Sequence, residues 1–222
     1  MQMIKRMMRK HRTAISNLLL CALAALWGCG DHHVDSIEEY SAWLNDPAHH
    51  LVQSKVINGL QLTVKYLPPE YMAYQDIRNS TNSSAWYRDS IIALYRSNVH
   101  FLLSIGLDGE ERRNADVMTS GVGSYPEFAR RVLDMNFDME NHILLKTRGG
   151  ECRPVLAVME NTYGIKGRRD IVVAFSPAAG DLKNTDEMDF VLYDEIFGTG
   201  ISHFVFQKNN MNGVVRFPFD KL

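Results

Sequence analysis

The sequence predicts an α+β fold: one domain built on a mainly antiparallel β-sheet with a few short helices. Three observations predict it. Strand-like runs fill the C-terminal half, an Asn-Gly pair joins two more in the N-terminal half, and only a few segments show helical spacing. Internal repeats, long linkers and signs of a second domain are lacking.

The elements follow in order. Asp35-Ser36 offers an N-cap before Ile37–Leu44, where Ile37, Tyr40 and Leu44 recur at helical spacing and Asn45-Asp46-Pro47 stops the helix. Leu51–Ile57 and Leu60–Leu67 form a hairpin across Asn58-Gly59, a pair suited to a type I′ turn because both central residues need positive φ. Leu60, Leu62, Val64 and Tyr66 alternate with Gln61, Thr63 and Lys65, so one face is buried and one is wet. Pro68-Pro69 ends that strand and starts a helix through Gln75, with Pro69 near its first position. Asn79–Ser84 is the most loop-like stretch. Trp86–Leu107 is strongly apolar, and its second half, Val99–Leu107, reads as a buried strand ending at Asp108-Gly109. A charged segment and Gly121-Val122-Gly123 precede a helix over Pro126–Met135.

The remaining runs read as a β meander: Ile143–Lys146, Val155–Met159, Asp170–Phe175, Phe190–Tyr193, His203–Gln207 and Val214–Phe219, with a second Asn-Gly pair at Asn212-Gly213. The late aromatics Phe190, Tyr193, Phe197, Phe204, Phe206, Phe217 and Phe219 are expected in the core, because phenylalanine has no polar tip to keep wet.

The first residues read as an export signal. Lys5, Arg6, Arg9, Lys10 and Arg12 precede the apolar stretch Thr13–Trp27, which is about 15 residues and short of the roughly 20 that span a membrane. Leu26-Trp27-Gly28-Cys29 resembles the bacterial lipobox, although Trp27 occupies a position that is usually small. Cys21 is a poor rival because Leu20 precedes it.

The resemblance implies cleavage before Cys29, lipid attachment at that thiol, and a mature chain carrying two or three acyl chains, enough for stable membrane attachment. Gly30 after the cysteine, in place of the inner-membrane retention Asp, favours the outer membrane by that family's rule. Residues 1–28 are then a signal peptide, 29–37 a short tether and 38–222 the domain. Removing 1–28 takes five of 24 basic residues and none of 26 acids, leaving 194 residues and a net charge of −7. Such a charge argues against nucleic acid and against a polybasic membrane patch. Of three cysteines only Cys152 then remains unmodified, so an intrachain disulfide is ruled out and a structural role is expected for it.

Motifs for chemistry are sparse. GxxxxGK[ST], HExxH, CxxC and GxSxG are all missing. Gly121-Val122-Gly123-Ser124 reads as a plain turn rather than a phosphate cradle. His32 with His33 and His49 with His50 are adjacent pairs that point to opposite sides of an extended chain, and His100, His142 and His203 stand alone. Asp181, Asn184, Asp186, Glu187 and Asp189 read as a solvated acidic loop, lacking the EF-hand order of a calcium site. The expectation is therefore no catalytic set, no metal and no cofactor.

Two further resemblances are slight. Asp35-Ser36-Ile37 and Asp89-Ser90-Ile91 look like the O-glycosylation motif of Bacteroidota, and the hairpin INGLQLTVKYLPPEY with Phe-rich final strands is similar to uncharacterised Bacteroidota lipoproteins. The function expected is a lipid-anchored cell-envelope protein acting as a non-enzymatic interaction or structural module. Its partners would be the membrane, through the anchor, and an envelope protein or glycan. The alternatives are an envelope hydrolase or glycan-binding enzyme, and an accessory lipoprotein of a secretion or assembly machine.

Overall fold

In the computed structural model the described residues are 34–82, 84–109, 115–160 and 167–219. The expected signal peptide, Cys29, His32 and His33 lie outside them. The chain forms helix α1 (Ile37–Asn45), strands β1 (Val52–Ile57) and β2 (Leu60–Leu67), helices α2 (Pro69–Asn79) and α3 (Ala85–Arg96), and strand β3 (Val99–Leu107). Helix α4 (Tyr125–Phe137) follows, then β4 (Ile143–Thr147), β5 (Gly150–Cys152), β6 (Pro154–Met159) and β7 (Arg169–Phe175). Helix α5 (Ala179–Lys183), β8 (Glu187–Asp194), β9 (Gly200–Gln207) and helix α6 (Lys208–Asn212) complete it. The class is α+β, with two antiparallel sheets ordered β1-β2-β3-β7-β6 and β5-β4-β8-β9.

Local chemistry accounts for most boundaries. Ser36 accepts from the Glu39 N–H at 3.1 Å while Glu39 Oε2 accepts from the Asp35 N–H at 2.8 Å, and Ser124 and Glu127 repeat the device at α4. Asn58 and Gly59 take φ of 52° and 76°, the positive values a type I′ turn requires. The β1–β2 and β2–β3 registers then place Leu62, Val64, Leu103 and Ile105 on one buried face.

That face meets the second sheet through aromatic rings. Phe101 of β3 lies 5.4 Å from Phe190 of β8 and 5.0 Å from Phe206 of β9, centroid to centroid. Phe175 of β7 lies 5.9 Å from Phe190, edge to face. The chain passes from the second sheet to the first at Arg153, between β5 and β6. On the opposite flank the Gln53 side-chain amide donates to the Val205 carbonyl, and Lys55 Nζ sits 5.5 Å over the Phe204 ring. Both flanks of the two-sheet core are thereby bridged.

Three expectations need correction, and one unassigned segment gains an element. The C-terminal strands are not one meander: β6 and β7 join β3, whereas β4, β8 and β9 form the second sheet. Val214–Phe219 is not a strand. Its Phe217 ring is buried against the helices, at 4.8 Å from Tyr40 and 5.4 Å from Tyr74, while Val214, Val215 and Phe219 are partly buried, and Pro218 has no N–H to give a ladder. The first half of the apolar stretch Trp86–Leu107, to which the sequence reading gave no element, is helix α3, capped by Ser84 through the Tyr87 N–H. Residues 34–37, read as the end of the tether, belong to the fold, since Val34 is only 7% exposed within the core cluster.

Helices α2 and α3 form an antiparallel pair outside the first sheet. Tyr95 Oη donates to Asp76 Oδ2 at 2.8 Å, and burial together with that bond pushes the Tyr95 hydroxyl up to about 12. Lys65 of β2 donates to Asn45 Oδ1 at 2.9 Å, and its partial burial lowers its pKa. The pair covers His100, 5% exposed, whose ring is 5.5 Å from that of Tyr95 and whose Nδ1 has no hydrogen-bond partner among the described residues. Burial holds His100 below the ordinary histidine value of 6.5. The unfolded chain then takes the proton first as pH falls, so stability contributed by neutral His100 is present above about 6.5 and drains away below it. Melting temperatures from pH 7.5 to 5 should fall more steeply for the native protein than for His100→Leu, since the two chains differ only at that side chain. Equal slopes would refute the assignment.

Candidate functional site

The residues singled out in the sequence are dispersed. His49 stacks on Trp43 at 3.7 Å and His50 ends a short turn with φ 54°. The Nδ1 of His142 lies 3.0 Å from the Tyr193 carbonyl and its Nε2 lies 3.4 Å from Asp138. Among the described residues no three His, Cys, Asp or Glu side chains are grouped as metal ligands would be. Cys152 is a partly buried thiol donating to the Arg153 carbonyl at 3.4 Å. Gly121-Val122-Gly123 is a turn leading into the Ser124 cap of α4. Phe190, Phe204, Phe206 and Phe217 are core residues, with Phe197 and Phe219 packed against the core.

The acidic stretch separates along its strand. Asp181, Asn184 and Asp186 line an open surface hollow with Arg148, whereas Glu187 accepts from Gln207 and Asp189 faces His203. His203 Nδ1 is 2.7 Å from Asp189 Oδ2 on the outward side of β8 and β9. Asp189 is also the register partner of Lys146 on β4, and Lys146 Nζ lies 3.0 Å from Glu151. The Glu151 bond raises the Lys146 pKa. A carboxylate orienting an imidazole is half of a nucleophilic triad, but among the described residues no hydroxyl or thiol hydrogen-bonds to His203.

A cleft of about 560 Å3 lies where the α2–α3 pair meets the segment after α6. Arg88, Ile92 and Arg96 recur every four residues on α3, which puts them on one face of the helix and along one wall. Arg216 lines it from the C-terminal segment, together with Phe217 and Phe219. Arg96 Nη2 holds Glu70 Oε1 at 2.5 Å, and Arg88 Nε is 3.6 Å from Asp89 and over the Phe219 ring. Burial, then Glu70, raises the Tyr66 hydroxyl pKa in the same cleft. The lining among the described residues thus mixes three arginines with the carboxylates of Glu70 and Asp89. None of the three arginines stood out in the sequence; the i, i+4, i+8 stripe on α3 was the available signal, and it required knowing that α3 is a helix.

A third feature is an open apolar edge. Strand β6 ends the first sheet, and its Val155, Leu156 and Val158 are 60, 47 and 49% exposed. Helix α4 packs against β6, and its Leu133 and Phe137 are exposed as well. Among the described residues no helix is long and apolar enough to cross a membrane.

No protein-family model matches the chain, and no curated protein matches it. Among solved structures it is similar to a protein of unknown function from Burkholderia pseudomallei. That pair shares 11% identity over 80% of this chain and 89% of the other, with a TM-score of 0.38.

Proposed function

We propose that this chain is a lipid-anchored protein of the bacterial cell envelope, held in the outer membrane through Cys29, that works as a binding module and not as an enzyme. The anchor rests on Leu26-Trp27-Gly28-Cys29 behind a basic, then apolar leader. The observation that carries the binding role is the β6 edge. A strand paired on one side only among the described residues, with exposed Val155, Leu156 and Val158 beside exposed Leu133 and Phe137, offers both ladder groups and apolar area to an envelope protein. The leash is short: four residues separate Cys29 from buried Val34, and the five steps of chain span at most about 18 Å at full extension.

Two measurements test this. Expressed in a Gram-negative host, the native protein should carry acyl mass on a chain beginning at residue 29, and Cys29→Ala should lose it. An unacylated chain retaining residues 1–28 would overturn the anchor. The competing reading, an envelope hydrolase, draws on His203 and Asp189. Turnover by the purified protein that disappears in His203→Ala would replace the binding role with that one.

A further inference from the structure

We infer that the outward face of α3 rests on the bilayer surface, with Trp86 and Leu94 entering the headgroup layer. At 3.6 residues per turn Trp86, Ser90, Ala93 and Leu94 fall on one stripe of the helix, opposite buried Ile92, and all four are exposed. Trp86 is 75% and Leu94 63% exposed. The stripe is uncharged, and the charged residues of the helix, Arg88, Asp89 and Arg96, lie outside it. An indole joins a broad apolar ring to one N–H donor, so it gains most where hydrocarbon meets headgroups. A helix with an apolar stripe on its wet side suits an interface that it lies along.

The occupant is set by the chain that precedes the fold, and to that extent the inference rests on the proposed anchor. Between an acylated Cys29 and buried Val34 the chain reaches at most about 18 Å. Helix α1 begins three residues after Val34, and three ring contacts lead from it to α3. Tyr40 lies 4.8 Å from Phe217, Phe217 lies 4.5 Å from Phe219, and the Arg88 guanidinium stands 5.6 Å over the Phe219 ring. Helix α1 is also tied to β2, since Asn45 accepts from Lys65. The other exposed apolar surface, at β6, lies beyond β3 and β7 from that strand. Of the two surfaces, α3 is the one linked to the side where the leash enters.

A protein partner fits this face poorly. One tryptophan and one leucine supply far less than the roughly 800 Å2 per side of a stable protein interface. A bilayer needs no such area, because a short leash holds the domain beside it at an effective concentration on the order of millimolar. Weak affinity of the stripe for the headgroup layer then suffices, and the β6 edge is left for its protein partner.

The chain has three tryptophans, Trp27, Trp43 and Trp86, which supplies the test. Trp27→Ala with Trp43→Phe leaves Trp86 as the single reporter whether or not the leader is removed. The Trp43 Nε1 has no hydrogen-bond partner among the described residues, so phenylalanine sacrifices no bond there. This full chain, made in a Gram-negative host, is reconstituted in vesicles of phosphatidylethanolamine and phosphatidylglycerol. Trp86 emission is expected to move to the blue, and to be quenched more by a nitroxide high on the acyl chain than by one at its methyl end. Leu94→Glu should lower the ratio of docked to free reporter about ten-fold, the scale of withdrawing one large apolar side chain. Ala93→Glu supplies an independent second variant, and melting curves show that both fold. Phe137→Glu, on the β6 side, should leave the quenching unchanged. Emission that stays water-like, or quenching untouched by both α3 variants, would overturn the docking. A blue shift without nitroxide quenching would give the face to a second copy or another protein and overturn the bilayer. Intact mass on the same sample reports acylation at Cys29, so failure of the anchor and failure of the docking are read separately.

Discussion

Phe101→Ala is expected to destabilise the protein by about 3–5 kcal/mol, the range for a fully buried phenylalanine truncated in a core. Phe101 is inaccessible to solvent and touches four rings: Tyr66 at 6.0 Å, Phe175 at 6.1 Å, Phe190 at 5.4 Å and Phe206 at 5.0 Å. Two of these stand on its own sheet and two on the facing one, so the cavity would lie where the sheets meet. Ladder hydrogen bonds hold both walls, which limits collapse and places the loss toward the upper end. Urea unfolding of Phe101→Ala beside Phe137→Ala is the measurement. Phe137 is 78% exposed, so its truncation should change stability by within about 0.5 kcal/mol. A loss below about 1 kcal/mol at Phe101 would contradict packing of the two sheets through this ring.

Asp194→Ala is expected to cost about 2–4 kcal/mol, because it removes three hydrogen bonds to one buried carboxylate. Oδ1 accepts from the Phe197 N–H at 2.9 Å, and Oδ2 accepts from the Thr199 N–H at 3.0 Å and the Thr199 hydroxyl at 2.5 Å. The effect should spread beyond this loop between β8 and β9. The Phe197 ring lies 4.8 Å from the Arg131 guanidinium, and Arg131 Nη1 donates to the carbonyls of Val117, Met118 and Ser120. Val117 and Met118 are core residues. Arg131 therefore staples one turn to α4 while resting on a ring that Asp194 positions. Arg131→Met should also destabilise, and the double variant should lose less than the sum by about 0.5 kcal/mol or more, since neighbours in one network are not additive. Strict additivity would show that the two loops are held independently. Asp194→Asn, which keeps one acceptor, should fall between the native protein and Asp194→Ala.

Much of the fold was legible in the sequence because its signals are local. Ser36 and Ser124 cap their own helices, Asn58-Gly59 makes its own turn, and the alternation from Leu60 to Tyr66 needs only a buried side. Helix α3 was hidden because WYRDSIIALYR is apolar enough to merge with the strand that follows, and its cap, Ser84, sits in a loop-like run. Val214–Phe219 was misread because alternating aromatics signal burial without saying what buries them. Here the rings of Tyr40 and Tyr74 do it, and those residues lie more than a hundred positions earlier.

The sequence by itself determined the α+β class, most helix and strand positions, the character of the core and the residues that motivate a lipid anchor. Each follows from interactions within a few residues, or from a pattern with a fixed period. Only the tertiary structure decided which strands share a sheet, that β6 is left as an open edge, and that Arg88, Arg96 and Arg216 line one cleft with the start of α2. Those outcomes depend on contacts between distant segments, where a strand or an arginine looks the same whichever neighbour it meets. The physical reason is that side-chain chemistry sets the local conformation, whereas partners are chosen by the competition of all apolar faces for one core.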